Sequence, residues 1–117
     1  MSKPKILHFS VSLNVKDIEA SKAFYEKLGF EPYEGAGSVE EKWLIMVYGD
    51  AKIGLFQDMF PLNTITLNPD DARTMMKTAK ENGLETTSEM GMDEASGPAA
   101  FSLVDPDGNP VLIDQHF

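Results

Sequence analysis

The sequence predicts an α+β fold built from two β-α-β-β-β modules, and three observations support this prediction. The first is an internal repeat, because sliding the 117-residue chain by 54 positions places residues 12–31 on residues 66–85. The second is strict alternation of apolar and polar residues before each copy's helix, and the third is an apolar stripe at helical spacing. The repeat contains these identities: Leu13/Leu67, Asn14/Asn68, Asp17/Asp71, Gly29/Gly83 and Glu31/Glu85.

The opening strand of the first module is the stretch HFSVSLNV, residues 8–15. One alternating set is polar, and the other is apolar and begins at Phe9. This pattern is typical of a strand with one apolar and one polar face. The same alternation returns at residues 64–68, where Ile65 and Leu67 are the apolar members. We expect a helix to cover the apolar face of each strand.

A helix is predicted after each opening strand. Asp17 in the first copy, and Asp70 or Asp71 in the second, can accept hydrogen bonds from free amides at a helix start. Gly29 and Gly83 follow the helical segments and suit a left-handed terminating conformation. The second helix has a regular apolar stripe, formed by Ala72, Met75, Met76 and Ala79. The first helix has a less regular stripe, formed by Ile18, Ser21, Phe24, Tyr25 and Leu28.

Further strands complete each module. Apolar stretches predict strands at residues 42–49, 51–58, 99–105 and 110–117, with a dense turn signal, DPDGNP, between the last two. Short pieces around 31–33 and 85–88 predict one more strand per half, and residues 33–41 and 88–98 are expected to be loops. The chain is interpreted as a single domain, with module one at 5–58, a connector at 59–62 and module two at 63–117.

Composition limits the classes of partner. The formal net charge of −9 disfavours binding to nucleic acid and favours a cationic or neutral guest. The longest apolar run is too short to span a bilayer, so no membrane segment is expected. The absence of cysteine excludes disulfides, thiolate metal sites and a cysteine nucleophile. Without a secretory signal pattern, the sequence predicts a cytoplasmic protein.

The stretches LNVKDIEASKAFYEKLGF and DPDGNPVLI, set in two β-α-β-β-β units, resemble the vicinal oxygen chelate superfamily. That superfamily includes glyoxalase I, fosfomycin-resistance enzymes, extradiol dioxygenases and bleomycin-resistance proteins. The resemblance covers nearly the whole chain. It implies curved mixed sheets around a shared cavity, with the helices outside, and pairing of small members as homodimers. The polar faces of the opening strands are then expected to line the cavity.

The resemblance also implies four strand positions at which metal-using members carry ligands. In this chain those positions hold Ser10, Gly54, Thr64 and Leu112, which offer no imidazole or carboxylate. The expectation is therefore no metal cofactor. The alternative is one divalent metal ion at a displaced cluster of His8, Asp114 and His116, which lie on the matching strand parity.

The favoured function is binding of a small organic molecule, cationic or aromatic, without metal chemistry, in a cavity completed by a dimer. The alternative is a metal-dependent lyase, isomerase or dioxygenase of the glyoxalase I type, so whether the protein is an enzyme stays open. A third reading is a non-catalytic interaction module. The predicted ligand-binding residues are His8, Ser10, Ser12, Trp43, Phe56, Thr64, Thr66, Leu112, Asp114 and His116.

Overall fold

A computed structural model describes residues 3–117 and contains eight strands and two helices in that range. Their order is β-α-β-β-β followed by β-α-β-β-β, which confirms the predicted α+β class and the two modules. Neither helix is long and apolar enough to cross a membrane within these residues. The elements are β1 (Ile6–Val15), α1 (Ile18–Leu28), β2 (Glu31–Ser38), β3 (Trp43–Tyr48), β4 (Ala51–Gln57), β5 (Thr64–Pro69), α2 (Ala72–Glu81), β6 (Ser88–Met90), β7 (Ala99–Val104) and β8 (Pro110–Gln115).

The chain divides into two compact units. The N-terminal unit is Ser10–Thr64, and the C-terminal unit comprises residues 3–9 together with Ile65–Phe117. The strand order is β2-β3-β4-β1 in the N-terminal unit and β5-β8-β7-β6 in the C-terminal unit. The segment predicted as the connector lies in the N-terminal unit, where the Asn14 side-chain amide donates to the Pro61 carbonyl oxygen at 3.2 Å.

Strand register confirms the internal repeat. β1 and β4 run parallel with Ser12 opposite Gly54, and β5 and β8 run parallel with Thr66 opposite Leu112. Because Ser12 and Thr66 are repeat partners, Gly54 and Leu112 occupy equivalent positions in the two units. The alignment of two short sequence segments therefore extends to the strands that follow each helix.

The helix ends follow the predicted capping chemistry. The Asp17 carboxylate accepts from the Ala20 amide at 3.2 Å, and the Asp71 carboxylate accepts from the Thr74 amide at 3.0 Å. Gly29 ends α1 in the left-handed conformation, with φ of 110°. An amide accepted at the start of a helix removes one of its unpaired donors, so each acidic residue fixes where its helix begins.

Each unit buries one sheet face against its own helix. In the N-terminal unit the buried core is Ile18, Leu44, Met46 and Leu55, with Leu13 and Val15 packed against it. In the C-terminal unit it is Ala72, Ala99, Phe101 and Ile113, with Met75 and Met76 from α2 packed against it. Since successive side chains alternate across a strand, the neighbours of these core residues lie on the other face, which we call the helix-free face.

Two local expectations are corrected. Phe9 belongs to the apolar set of β1 and was expected to be covered by a helix. Its side chain is 51% exposed, because α1 covers β1 only from Leu13 onward. Residues 33–41 were expected to be a loop, but β2 continues to Ser38 through a register irregularity between Pro32 and Gly37. Gly35 and Gly37 adopt positive φ there, so the glycines serve a bulged strand instead of a loop.

Candidate functional site

The helix-free face of the N-terminal unit carries two rows of residues set by strand pairing. One row contains Ser12, Gly54 and Ile45, which face one another across β1, β4 and β3. The next row contains Asn14, Phe56, Trp43 and Ser38. Leu44 and Leu55 pack under α1, so the residues on either side of them project from the helix-free face.

Three aromatic rings form a cluster in the N-terminal unit. Trp43 and Phe56, directly paired across β3 and β4, have nearly parallel rings with centroids 6.2 Å apart. Phe60, in the segment after β4, lies against Phe56 with a centroid distance of 5.0 Å. All three side chains are partly buried. We call Trp43, Phe56 and Phe60 the aromatic cluster.

Gly54 is required by the position of the Phe56 ring. A Cβ atom at residue 54 would lie 2.5 Å from Cε2 of Phe56 and 3.3 Å from Cδ1 of Ile45. The ring therefore folds back along β4 and occupies the space where a side chain would be. Gly54 and Phe56 lie on the same face of β4, as predicted. Gly54 has no side chain to contact a ligand, and its role is to leave space for the Phe56 ring.

The predicted hydroxyl residues of the N-terminal unit have different surroundings. Ser10 and Ser12 are buried, at 8% and 6% exposure. The Thr64 hydroxyl donates to the Leu62 carbonyl oxygen at 3.0 Å, so its proton is used locally in the turn before β5. Ser10 and Ser12 thus supply buried polar groups on the helix-free side, while Thr64 stabilises the local chain path.

In the C-terminal unit a single row crosses four strands, with Thr66, Leu112, Ser102 and Ser88 paired in sequence on the helix-free face. The Thr87 hydroxyl donates to Ser102 Oγ at 3.1 Å, and the Ser88 hydroxyl also contacts Ser102 Oγ. Ser102 and Ser88 were not predicted as site residues. The alternation of AAFSLVD, in which Ser102 lies between Phe101 and Leu103, contained the signal for Ser102.

The remaining predicted site residues are His8 on β1 and two residues at the end of β8. His8 is exposed near the start of β1, whereas Asp114 and His116 lie at the end of β8. Among residues 3–117, no three side chains of His, Cys, Asp or Glu come close enough together to hold a metal ion. The displaced metal site of His8, Asp114 and His116 is therefore not assembled.

The residues at the four ligand positions do not fit a divalent metal ion. Ser10 and Thr64 offer neutral hydroxyls, and the side chains of Gly54 and Leu112 have no donor atom. The backbone at Gly54 is also covered by the Phe56 ring.

A pair of glutamines that the sequence analysis missed joins the last strand of each unit to its helix. The Gln57 side-chain oxygen accepts from the Ile18 amide at 3.0 Å. The Gln115 side-chain oxygen accepts from the Ala72 amide at 2.7 Å. Ile18 and Ala72 are repeat partners, so the two bonds are equivalent. Both glutamines lie at the end of a strand, and comparing LFQ with IDQ, with Leu55 aligned on Ile113, could have revealed them.

The segment between β6 and β7, expected to be a loop and a possible lid, is fixed by Arg73 on α2. The guanidinium donates to the carbonyl oxygens of Gly91, Ser96 and Gly97, at 2.7, 3.2 and 3.0 Å. These charge-assisted bonds hold both ends of the loop to one side chain. Residues 91–97 therefore form a pinned connection in the C-terminal unit.

Comparison with known proteins identifies the family. A model of the Glyoxalase/Bleomycin resistance protein/Dioxygenase superfamily matches residues 5–113. The fold is similar to a superfamily member from Vibrio splendidus 12B01, with TM-score 0.66 and 15% identity, covering 97% of this chain and 99% of that chain. It is also similar to a hypothetical protein from Bacillus halodurans C-125, with TM-score 0.69, 15% identity and coverage of 99% and 96%.

Methylmalonyl-CoA epimerase from Mycobacterium tuberculosis has the same fold, with TM-score 0.66 and 10% identity, covering 100% of this chain and 93% of that chain. Comparison with curated proteins gave no significant match. At these identities the structural likeness establishes the fold alone. The family match spans almost the whole chain and agrees with the β-α-β-β-β repeat. The chain belongs to the Glyoxalase/Bleomycin resistance protein/Dioxygenase superfamily.

Proposed function

We propose that this protein binds a small organic molecule without a metal ion, and that the aromatic cluster provides the main contact surface. The observation that carries the proposal is the set of partly buried rings of Trp43, Phe56 and Phe60 on the helix-free face. Flat apolar surface next to a few polar groups is the usual composition of a small-molecule site. Ser10 and Ser12 supply such polar groups in the same unit.

The charge balance favours a cationic or neutral ligand over an anion. A net charge of −9 on 117 residues gives a negative potential around the protein, which attracts cations and raises their association rate. Aromatic rings also attract cations through the negative face of their π-systems. A cationic aromatic molecule would therefore make favourable contacts with the aromatic cluster and be attracted by the negative potential around the protein.

The alternative, a metal-dependent lyase, isomerase or dioxygenase, needs carboxylate or imidazole ligands, and the four inferred positions carry none. Elemental analysis of protein purified without chelator tests it directly. One equivalent of zinc, nickel, manganese or iron per chain, lost in His8→Ala or His116→Ala, would favour the enzyme over the proposed binding protein.

We further propose that the protein is a cytoplasmic homodimer. The first residues of β1 expose three large apolar side chains, Ile6, Leu7 and Phe9, at 44%, 45% and 51%. Leu7 and Phe9 share one face of β1, and exposed apolar side chains that share a face are a feature of interaction surfaces. A second copy of the chain is the partner that the family resemblance implies, and the cytoplasmic location rests on the lack of cysteine.

The test uses Trp43, the one tryptophan of the chain, as a fluorescent reporter inside the proposed site. Wild-type protein is titrated with a panel of cationic and neutral aromatic compounds, and quenching or a spectral shift is recorded. Replacing Phe56 by alanine should weaken the affinity for any detected ligand about two- to twelvefold, since one aromatic contact contributes about 0.5–1.5 kcal/mol.

Phe24→Ala is the matched control, because Phe24 is an aromatic residue on α1, outside the aromatic cluster, and is 59% exposed. It should leave ligand affinity unchanged. The proposal fails if no member of a broad panel changes Trp43 emission or raises the melting temperature. It also fails if Phe24→Ala weakens binding as much as Phe56→Ala.

A further inference from the structure

Two hydrogen-bond donors lie side by side on the helix-free face of the N-terminal unit. They are Ser10 on β1 and Lys52 on β4, each one residue before the paired residues Val11 and Ile53. Neighbouring strands are about 4.8 Å apart, so the two side chains are adjacent. Leu13 and Ile53 pack against the core beneath α1, and strand alternation therefore places both donors on the other face.

The Ser10 hydroxyl is enclosed but has no partner. Ser10 is 8% exposed, and its side chain forms no hydrogen bond within residues 3–117. Among those residues, the one unpaired side-chain polar atom that is fully sealed from solvent is Nε of Arg73, so the Ser10 oxygen can still be reached from outside. An enclosed polar group without a hydrogen bond costs folding free energy, which favours a role in binding.

The Lys52 ammonium group is also without a partner. Lys52 is half-buried, although lysine is one of the residue types most often exposed. Neither of the ion pairs found within residues 3–117 includes it. Glu31 lies in the same strand row, but Val47 on β3 separates it from Lys52. The positive charge is therefore open to a group from outside the chain.

The aromatic cluster lies close to these two donors. The Phe56 ring covers Gly54, because a Cβ atom there would lie 2.5 Å from Cε2 of the ring. Gly54 is two residues from Lys52 along β4, a separation of about 7 Å. A ligand whose ring rests on the aromatic cluster can therefore reach both donors through a short tether.

We propose that Ser10 and Lys52 form a subsite for the carboxylate of the bound molecule. One carboxylate oxygen accepts from the Ser10 hydroxyl and the other from the Lys52 ammonium group, in charge-assisted hydrogen bonds. This inference rests on the proposed function, since it assigns one chemical group to the small molecule. The net charge of −9 attracts cations, so the ligand class that fits both the field and the subsite is an aromatic zwitterion, such as an aromatic amino acid.

The experiment compares phenylalanine with phenylalanine amide, which share the ring and the ammonium group and differ in the carboxylate. Each is titrated into isotopically labelled full-length protein at about pH 6, where both amines are protonated and the carboxyl group is ionised. Affinities are taken from amide chemical shifts. The negative potential alone favours the amide, which carries a net positive charge, whereas the subsite favours the zwitterion. Wild-type protein should bind phenylalanine about fivefold more tightly, with specific shifts at Ser10 and Lys52.

Lys52→Met should reverse the preference, because only the negative potential then distinguishes the probes. Lys27→Met is the matched control, since it removes the same charge from an exposed position on α1, which covers the opposite face of the sheet. It should keep the preference for phenylalanine. The inference is overturned if wild-type protein binds neither probe or binds the amide as tightly as phenylalanine. Equal effects of the two lysine variants also overturn it, because the attraction would then come from net charge alone.

Ser10→Ala separates a binding role from a structural one. It should weaken phenylalanine binding at least twofold without lowering the melting temperature, because the hydroxyl has no partner within the described residues to lose. A lower melting temperature, or an unchanged affinity, would count against the subsite.

The outcome is separable from that of the proposed function. If Phe56→Ala leaves both affinities unchanged while Lys52→Met removes the preference for phenylalanine, the subsite stands and the role of the aromatic cluster fails. If Phe56→Ala weakens both probes equally and neither lysine variant changes their ratio, the aromatic contact stands and the carboxylate subsite fails.

Discussion

Replacing Gln115 by alanine tests the amide that joins β8 to the start of α2. Its side-chain oxygen accepts from the Ala72 amide at 2.7 Å, and its nitrogen donates to the carbonyl oxygens of Gly97 and Phe117 at 3.1 and 2.6 Å. Gln115 is 7% exposed and Ala72 is fully buried. Water therefore has little access to the groups that the truncation would leave unpaired.

The expected loss of unfolding free energy follows from these contacts. An unpaired, buried Ala72 amide costs about 1–3 kcal/mol, and each of the two lost bonds to carbonyl oxygens costs about 0.5–1 kcal/mol. Gln115→Ala should therefore destabilise the protein by about 3 kcal/mol. The repeat supplies the control, because Gln57 is less buried and accepts from the Ile18 amide at a longer 3.0 Å. Gln57→Ala should cost about 1–2 kcal/mol.

Urea unfolding followed by circular dichroism gives the two free-energy changes, and hydrogen exchange at the Ala72 amide reports the local effect. Exchange at Ala72 should accelerate in Gln115→Ala and not in Gln57→Ala. The reasoning is refuted if Gln115→Ala lowers the unfolding free energy by less than about 1 kcal/mol. It is also refuted if Gln57→Ala lowers it as much as Gln115→Ala does, because burial and the number of hydrogen bonds would then not determine the loss of stability.

Three further outcomes are expected. Gly54→Ala should destabilise by about 1–2 kcal/mol and shift Trp43 emission, because the added methyl group displaces the Phe56 ring; unchanged emission would contradict this. Hydrogen bonds, first from the Thr74 side chain and then from its backbone amide, lower the pKa of Asp71. Its stabilising effect should be present above about pH 4 and lost as pH falls through the folded pKa, so acid unfolding curves of wild type and Asp71→Asn should converge at low pH. Phe9→Asp should reduce the dimer fraction in light scattering at matched concentration, and an unchanged mass would remove β1 from the interface.

Much of the fold follows from local sequence pattern. Several of the predicted features involve residues only a few positions apart in the sequence, so the sequence itself brings them together. They are the helix caps at Asp17 and Asp71, the helix end at Gly29 and the alternation of the opening strands. The 54-position repeat then carried information from one unit to the other. The shared register, with Ser12 opposite Gly54 and Thr66 opposite Leu112, confirms that inference.

Local pattern failed where contacts between distant residues decide the outcome. Phe9 belongs to an apolar alternation, yet the helix that covers Leu13 does not reach it. The glycines at 35 and 37 favour a loop by composition, but pairing with β3 holds them in a bulged strand. Loop composition alone also gave no sign that Arg73 pins residues 91–97.

Some features of the candidate site could be predicted from the sequence, and others depend on contacts between distant residues. Strand parity placed Phe56 with Gly54, and the resemblance identified which positions lack metal ligands. The contact of Trp43 with Phe56, and the approach of Asn68 to His116, depend on which strands pair and in what register.

The sequence by itself determined the repeated β-α-β-β-β architecture and the family, because these depend on residue type and spacing. The family resemblance then implied four ligand positions, whose residues offer no imidazole or carboxylate. Only the tertiary structure decided which polar and aromatic groups meet. A hydrogen bond or a ring contact needs two groups within a few ångströms, and strand register and helix packing set those distances across dozens of residues.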